Sequence, residues 1–348
     1  ASVKDNLYNT LKDIKSSPLC TVKPVSIVII SYNNMYLTQK CIESLRSNLL
    51  SDSYEIIVVD NASTDGVTSW LEMQPDIKLI KSDVNLGFPK GCNVGINAST
   101  PDNDIFLLNN DTRITPNALF WLRMGLYTND TIGATGAVSN YTGTTQLIDV
   151  FYTSIDDYQR FGYLNNQIID NPLEESTILC GFAMLIKRSA LNKTTLLSEE
   201  LSPGYFDDDI SFQLKSAGYS LYVCHNSFIY HAGSQSFSKV DTDYLLEISK
   251  KNRTFMYNKW HFDSVCNRVG NKVYDTIKPT NSDMHVLEIN AHAGANYAHL
   301  KYICPNISYI GIEGNINYSN VDIKEAHIKY MNYLDFNYSD YNEYFDYI

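Results

Sequence analysis

Val25-Ser-Ile-Val-Ile-Ile30 is a nearly unbroken β-branched run, the pattern of a parallel strand buried on both faces, and Pro24 closes the segment leading into it. Leu37–Leu49 follows with helical spacing. A second buried strand is expected at Glu55–Val59, and further strands at Ile77–Ile80 and Ile105–Leu108. Apolar strands alternating with helical segments predict βαβ units around a mostly parallel mixed sheet flanked by helices, an α/β fold. In such sheets ligands gather beyond the carboxyl ends of the strands, so the polar residues found there carry the functional information.

Outside this frame the pattern is less regular. Leu7, Leu11 and Ile14 predict a short amphipathic helix over Asp5–Ser16. After Thr112 the pattern loosens into a polar, Tyr-rich stretch, Ser139–Ser176, expected to be an irregular insertion serving as a substrate loop or as surface decoration. It recovers at Ala183–Ile186. Leu245, Ile248, Phe255 and Met256 predict a helix within Asp241–Trp260, and Lys278–Asp283 reads as a linker. The chain therefore divides into an N-terminal helical extension (1–23), a main α/β domain (24–237), a helical extension and linker (238–283), and a small α/β segment (284–348).

Composition narrows the function classes. With 348 residues, 44% of them hydrophobic, the chain can bury a large core and has room for two domains. A net charge of -12 argues against nucleic acid or an anionic membrane surface as the main partner. The seven cysteines are odd in number and contain no C-x-x-C pair, which favours a reducing compartment over a disulfide framework or a zinc site. No apolar run approaches the ~18 residues of a membrane span, and no signal-peptide pattern opens the sequence, so a cytoplasmic location is expected. Sequons at Asn61-Ala-Ser and Asn110-Asp-Thr fall among the strand-end residues below, which again favours a cytoplasmic setting.

Three polar strand ends stand out: Ser31-Tyr-Asn-Asn34, Asp60-Asn-Ala-Ser-Thr-Asp-Gly66 and Asn109-Asn-Asp111. Any one of them has an ordinary explanation, since a lone Asp after a strand commonly caps a helix or shapes a turn. Their coincidence is what points to a ligand crevice. Later in the chain three consecutive carboxylates, Asp207, Asp208 and Asp209, open a helical pattern. They suit the helix dipole, and their mutual repulsion is expected to raise at least one pKa toward the range of a general base.

In order along the chain, Val25–Asn33, Val58–Gly66, Asn85-Leu-Gly-Phe-Pro-Lys-Gly-Cys-Asn93 and Leu107–Thr112 resemble the motif series of family 2 glycosyltransferases. Phe206–Gly218 resembles the acid-rich segment of that family, and Ile229-Tyr-His-Ala-Gly-Ser-Gln-Ser-Phe237 resembles its Y-H-x-G-G-x-S-F ending. The resemblance runs from about Pro24 to Trp260 and implies a GT-A nucleotide-diphospho-sugar transferase fold. It places Ser31 and Tyr32 at the nucleotide base and Asp60 at the base or ribose. Asn85, Lys90 and Asn93 would lie near the ribose and diphosphate, although Lys90 also reads as an ordinary surface charge.

Asn109-Asn110-Asp111 stands where the family has D-x-D. Asn109 and Asn110 would contact the donor, and Asp111 would bind a divalent metal. His231 is implied as a second metal or diphosphate ligand, the ion being Mn²⁺ or Mg²⁺. Counting back from Gly218 puts the catalytic base at Asp207, but Phe206 in place of the usual Glu leaves Asp207 and Asp208 both open, with Asp209 as a structural cap. The implied reaction is inverting, metal-dependent transfer from a UDP- or dTDP-type nucleotide-diphosphate sugar to a glycan or glycolipid acceptor in surface polysaccharide synthesis. The enzyme would be cytoplasmic or at the inner face of the membrane, with at most peripheral membrane association. The two lost acids, at Asn109 and Phe206, leave a second reading: a catalytically impaired nucleotide-sugar or glycan-binding module.

His285–Asn296 and Tyr309–Glu313 resemble the first β-α-β unit of a Rossmann-type S-adenosylmethionine methyltransferase, with Glu288 and Glu313 at its acidic positions. Asn290 and His292 replace two expected glycines, and about 65 residues cannot complete such a domain. The expectation is thus a small, incomplete Rossmann-like α/β segment with a packing role, whose aromatic residues Tyr333, Phe336, Tyr341 and Tyr344 cover a sheet edge.

Overall fold

The computed structural model describes residues 22–49, 54–143, 145–233, 242–341 and 344–348. The helix expected over Asp5–Ser16 lies outside the described residues. Strands β1 (Val25–Ser31), β2 (Tyr54–Asn61), β3 (Ile77–Ser82) and β4 (Asp104–Asn109) form a parallel half-sheet in the order β3-β2-β1-β4. Every residue of β1 is buried, and its side chains divide by parity. Val25, Ile27 and Ile29 join a core with Val58 and Phe106, whereas Val28 and Ile30 join a second core with Val59 and Leu107 on the other face. The two-residue repeat of a strand sends neighbours to opposite faces, so an apolar run demands cover on both.

Helices Met35–Asn48, Val67–Glu72 and Phe88–Ala98 fill the connections between these strands. The last of them approaches the sheet at Gly95, where an added Cβ would stand 2.4 Å from a Val28 methyl. Glycine is required there by close approach to β1.

Past β4 the strand direction changes. β5 (Thr112–Ile114), β6 (Ile132–Val138), β7 (Leu173–Ser176), β8 (Ala183–Ile186) and β9 (Ser220–His231) complete a nine-stranded mixed sheet among the described residues. β8 runs antiparallel to β4 and β6, while β9 is parallel to β6 and antiparallel to β5 and β7.

The stretch expected to be irregular contains two regular elements, the helix Ile155–Asn165 and β7. The helix is capped by Ser154, whose side chain accepts from the Asp157 N–H. Its inward face is aromatic: Tyr158 and Phe161 pack on Phe228 of β9. A core face built from tyrosine reads as polar in sequence, which hid this helix.

The helix Thr242–Trp260 leads, through 261–283, to a second sheet of three parallel strands. These are β10 (Met284–Ile289), β11 (Ile307–Glu313) and β12 (Lys329–Tyr330), with helix Ala295–Ile303 crossing between the first two. The tail returns to the free edge of β10, where the Leu287 N–H donates to the Tyr347 carbonyl at 3.0 Å. Of the four aromatics expected to cover an edge, Phe336 is buried against Leu287 and Ile312 and stacks on Tyr341, while Tyr333 and Tyr344 stay largely exposed.

This C-terminal unit is fastened to the main sheet through Glu174 of β7. Its buried carboxylate is shared by His225 of β9 (2.6 Å) and by His299 of the crossover helix (2.9 Å). The two hydrogen bonds hold its pKa below the ordinary glutamate value despite burial. Tyr302 stacks on the His225 ring at 4.5 Å, and Tyr318 stacks on Phe262 at 4.4 Å.

Two stability measurements test this packing. Gly95→Ala should cost about 1–3 kcal/mol in urea unfolding because Val28 has no room to move within a filled core. Glu174→Ala, which strips two histidines of their shared acceptor, should cost about 3 kcal/mol and speed proteolysis of the 278–283 segment. Unchanged cleavage there would mean that the C-terminal unit is held by its apolar contacts alone.

Candidate active site

Strand register brings the polar strand ends side by side. Ser31 pairs with Asp60 across β1 and β2, and Ile30 pairs with Asn109 across β1 and β4. The loops that follow brace one another. The Asn33 carboxamide accepts from the Thr64 N–H at 2.8 Å, and the Ser63 hydroxyl accepts from the Asn33 N–H at 2.8 Å. Asp65 then accepts from the N–H of both Met35 (2.7 Å) and Val67 (3.2 Å), which joins the starts of two helices. The Ser-Thr-Asp part of the motif is therefore the scaffold of the crevice rather than its lining.

Within the crevice, Asp60 is buried and accepts from the Thr68 hydroxyl at 2.6 Å. The Ser31 and Thr38 hydroxyls lie 3.1 Å apart, and the Asn110 carboxamide donates to Thr38 at 3.0 Å, so Ser31 and Asn110 meet through a threonine that sequence reasoning missed. Tyr32 is 46% exposed and available to stack on a planar ligand.

The residues following β3 are engaged differently. Asn85 accepts from the Gly87 N–H at 2.9 Å and shapes its own turn. Lys90 faces Glu199 at 3.6 Å with both side chains about half exposed. Asn93 is buried, and its carboxamide exchanges hydrogen bonds with the Leu197 backbone at 2.9 and 3.1 Å. In this structure Asn93 holds the 197–199 segment, and Lys90 and Asn85 lie beside that joint.

Asp111 and His231 meet through strand pairing. Thr112 of β5 stands opposite His231 of β9, and the Ala232 N–H donates to the Asp111 carbonyl at 3.0 Å. His231 Nε2 thereby comes within 3.2 Å of Asp111 Oδ1. The ring is fixed from behind: its Nδ1 lies 2.8 Å from the Tyr141 carbonyl. A carbonyl only accepts, so Nδ1 carries the proton and Nε2 turns toward the carboxylate. Asn140 brackets the same residue, donating to its carbonyl and accepting from its N–H, both at 3.0 Å.

Asp111 Oδ1 is buried and receives no hydrogen bond among the described residues. The 3.2 Å contact with His231 Nε2 is not a hydrogen bond. An orphaned carboxylate oxygen facing an imidazole nitrogen whose other nitrogen is bound to a backbone carbonyl is a donor set suited to a divalent cation. Asp111 also lines a cavity of about 220 Å³, together with Tyr36, Arg113 and Tyr230.

The three adjacent carboxylates have three different environments. Asp209 is fully buried and accepts from Ser198 (2.7 Å), Gln213 (2.8 Å), Lys259 (2.9 Å) and Trp260 (2.9 Å). It is a clamp between the helix Phe206–Ser216, the 198 loop and the long helix Thr242–Trp260, a wider structural role than capping. Asp208 is buried against Arg268, whose guanidinium donates to both carboxylate oxygens at 3.2 and 3.3 Å. Burial and the neighbouring Asp207 charge nevertheless push Asp208 up to about 7, against the pull of Arg268. The raised pKa expected from mutual repulsion thus belongs to the middle acid.

Asp207 is half-buried, and its Oδ2 accepts from the Gly181 N–H at 3.2 Å. The next residue, Phe182, stacks on the His231 ring at 5.1 Å with planes 13° apart, and its carbonyl accepts from the Asn109 N–H at 2.9 Å. Two consecutive residues therefore connect Asp207 with His231, Asp111 and Asn109. Ser234–Phe237, the end of the His231 motif, lie outside the described residues. Asn140 and Tyr141 follow β6 and were open to the same strand-end logic, whereas nothing in the sequence marked Arg268.

Residues 26–195 match the family described as Glycosyl transferase family 2. No curated protein matches the chain. The mannosyltransferase PcManGT from Pyrobaculum calidifontis, solved with GDP-Man and Mn²⁺, superposes with a TM-score of 0.50 at 17% identity, over 72% of this chain and 70% of that one. GalNAc-T7 with UDP, GalNAc and Mn²⁺ gives 0.49 at 12% identity over 76% and 60% of the two chains. S. aureus TarS 1-349 gives 0.43 at 13% over 73% and 75%. At such identities the first likeness shows a shared architecture and leaves donor and acceptor open. Residues 26–195, just under half of the chain, are thus similar to family 2 glycosyltransferases, and the mixed, mostly parallel sheet has the architecture of the mannosyltransferase structure.

Proposed function

We propose that the protein is a metal-dependent, inverting glycosyltransferase that moves a sugar from a nucleotide-diphosphate sugar to an acceptor hydroxyl. The observation that carries this reading is the Asp111–His231 pair, with its orphaned carboxylate oxygen, two residues away in contact from Asp207. Among the described residues no group of three or more His, Cys, Asp or Glu side chains is placed to hold a metal. Asp111 and His231 would therefore hold Mn²⁺ or Mg²⁺ as two protein ligands, with donor phosphates and water completing the shell. Bound there, the cation would supply charge neutralisation to the diphosphate. PcManGT was solved with both a nucleotide sugar and Mn²⁺, which is consistent with this assignment.

The chain's own residues would do the rest. Tyr32 would cover the nucleotide base, and Ser31, Asp60, Asn109 and Asn110 would align the nucleoside by hydrogen bonding. Asp207 would take the proton from the acceptor hydroxyl as its oxygen bonds the anomeric carbon and the bond from that carbon to the diphosphate oxygen breaks. A single displacement of this kind inverts the anomeric centre. Asp208 and Arg268 would set the basicity of Asp207: an ionised Asp208 adds negative charge beside it, and Arg268 limits how much. No described helix is long and apolar enough to cross a membrane, so a glycolipid acceptor would be met at a membrane surface.

Release of nucleoside diphosphate across a panel of UDP-, dTDP- and GDP-sugars tests the reading. Turnover should require Mn²⁺ or Mg²⁺, fall about 10²–10⁴-fold in Asp207→Asn, and need more metal for half-activity in Asp111→Asn and His231→Ala. Donor binding without any turnover would instead identify a binding module, and a product of retained configuration would exclude the single displacement.

The dependence on pH has a defined sign. Asp208 gains a proton as pH falls through about 7, which removes charge from beside Asp207 and weakens it as a base. kcat/KM should therefore show an acid limb near pH 7. In Asp208→Asn the neighbouring charge is absent at every pH, so activity at pH 8 should drop and that limb should vanish. A limb that persists near 7 in the variant would assign it to another group.

A further inference from the structure

A cavity of about 440 Å³ lies apart from the strand-end crevice, between Thr142, Gly143 and Thr145 after β6, β7 and its following residues, the 267–269 segment ahead of the C-terminal unit, and Ala295 of that unit. We propose that it binds the acceptor glycan and that the C-terminal unit exists in part to wall it. This assignment rests on the transfer reaction proposed above.

The lining suits a neutral, polyhydroxylated ligand. Thr145 contributes a hydroxyl, Asp149 a carboxylate and Asn267 a carboxamide, interspersed with the small apolar surfaces of Ile178, Val269 and Ala295, while the Ser176 and Thr177 hydroxyls donate to the Ile178 and Asn267 carbonyls at 2.6 Å and shape the wall. A pyranose presents the same alternation of hydroxyls and C–H faces. A phosphorylated ligand would meet Asp149, Glu174 and Glu175 in the wall, while the Arg268 cation is already paired with Asp208. The volume falls within the ~300–1,000 Å³ range of small-molecule sites.

Besides Thr142 Oγ1, two polar groups in the wall are unfulfilled. Asn267 is completely buried, and its Oδ1 accepts from the Ala293 N–H, yet its Nδ2 has no hydrogen-bond partner among the described residues. Thr145 Oγ1 is likewise buried without one. A buried donor left unpaired is costly, and sugar hydroxyls would satisfy both groups.

Position ties the cavity to the reaction. Arg268 lines it and at the same time grips Asp208, the neighbour of Asp207. From the other side, the chain runs from Ser176–Ile178 in the wall directly to Gly181, whose N–H donates to Asp207. A glycan seated here would direct its reacting hydroxyl toward Asp207. Asn267, Arg268, Val269 and Ala295 all come from beyond residue 195, outside the stretch that matches the transferase family.

The test uses the full chain and an equimolar mixture of the methyl glycosides of glucose, galactose, mannose, rhamnose, N-acetylglucosamine and N-acetylgalactosamine, observed by saturation-transfer NMR. At least one glycoside should receive saturation. Its affinity should weaken at least tenfold in Thr145→Val and in Asn267→Ala, each first shown to unfold thermally as a folded protein, and should be kept in Asp111→Asn. No signal, or a signal that neither variant changes, overturns the cavity assignment. Nucleoside diphosphate release by the wild type separates the two proposals. Release without an Asn267-dependent signal leaves the transferase and removes the cavity, whereas such a signal without release supports the cavity as a glycan site and removes the transferase.

Discussion

The pairing of β5 with β9 is the constraint on which the site depends. Thr112 opposite His231 is one register among several that backbone hydrogen bonding would accept, but a slip of one residue turns His231 to the other face of the sheet. The register is pinned by packing at the far end of the pairing, where Ile114 and Ile229 are both completely buried in one core. Asn140 then pins it near the site by bonding both backbone groups of His231. Apolar burial at one end and a carboxamide bracket at the other thus fix an imidazole to within hydrogen-bond tolerance of a carboxylate. Gly233 belongs to the same arrangement. Its φ of +70° and its packing under the Tyr141 ring let the chain leave β9 without displacing the carbonyl that orients His231.

The acid cluster at 207–209 shows how one helix start can serve three purposes. The helix dipole favours all three charges, but the environments differ because successive helix positions point in different directions. Asp209 turns inward, where four donors satisfy it and bind the long helix Thr242–Trp260 to the helix Phe206–Ser216 and the 198 loop. Asp208 turns toward Arg268, and Asp207 toward Gly181. Removing the Asp209 donors would loosen the element that carries the other two, so structural and chemical roles are coupled within one helical turn. Phe206, standing where an acid is usual, packs against Phe88 and lies close over Gly181. It supplies shape rather than charge to the floor beside Asp207.

Much of this was legible in the residues themselves. Val25–Ile30 announced a doubly buried strand because β-branched side chains on both parities have no other stable use, and the strand-end polar residues followed from that placement. His231 and Asp111 were legible as a pair only through the motif resemblance, since 120 positions separate partners that β-pairing alone unites. The division of labour within Ser63-Thr64-Asp65 was not legible, because a side chain that braces a loop and one that faces a ligand have the same composition. Arg268 and His299 were invisible for a plainer reason. Their partners lie 60 and 125 positions away, and no periodicity connects a single long-range ion pair to its sequence.

The C-terminal unit illustrates how a backbone conformation can persist without the residues that usually favour it. Asn290 and His292 stand where glycines were expected, and both adopt positive φ, at 62° and 49°. The turn after β10 therefore keeps a left-handed course at some steric cost, which asparagine tolerates better than histidine. What holds His292 there is Glu313, whose carboxylate accepts from the His292 N–H at 2.9 Å and from the Asn315 N–H at 2.7 Å. Glu288 is likewise bonded to Asn296 and Tyr309 within the unit. Both acids of the methyltransferase resemblance are thus bonded within the unit, Glu288 to the crossover helix and β11 and Glu313 to loops, and the loop fixed by Glu313 contains Ala293, the residue whose N–H holds the Asn267 carboxamide. That one hydrogen bond, at 3.3 Å, ties the loop held by Glu313 to the segment that carries Asn267 and Arg268.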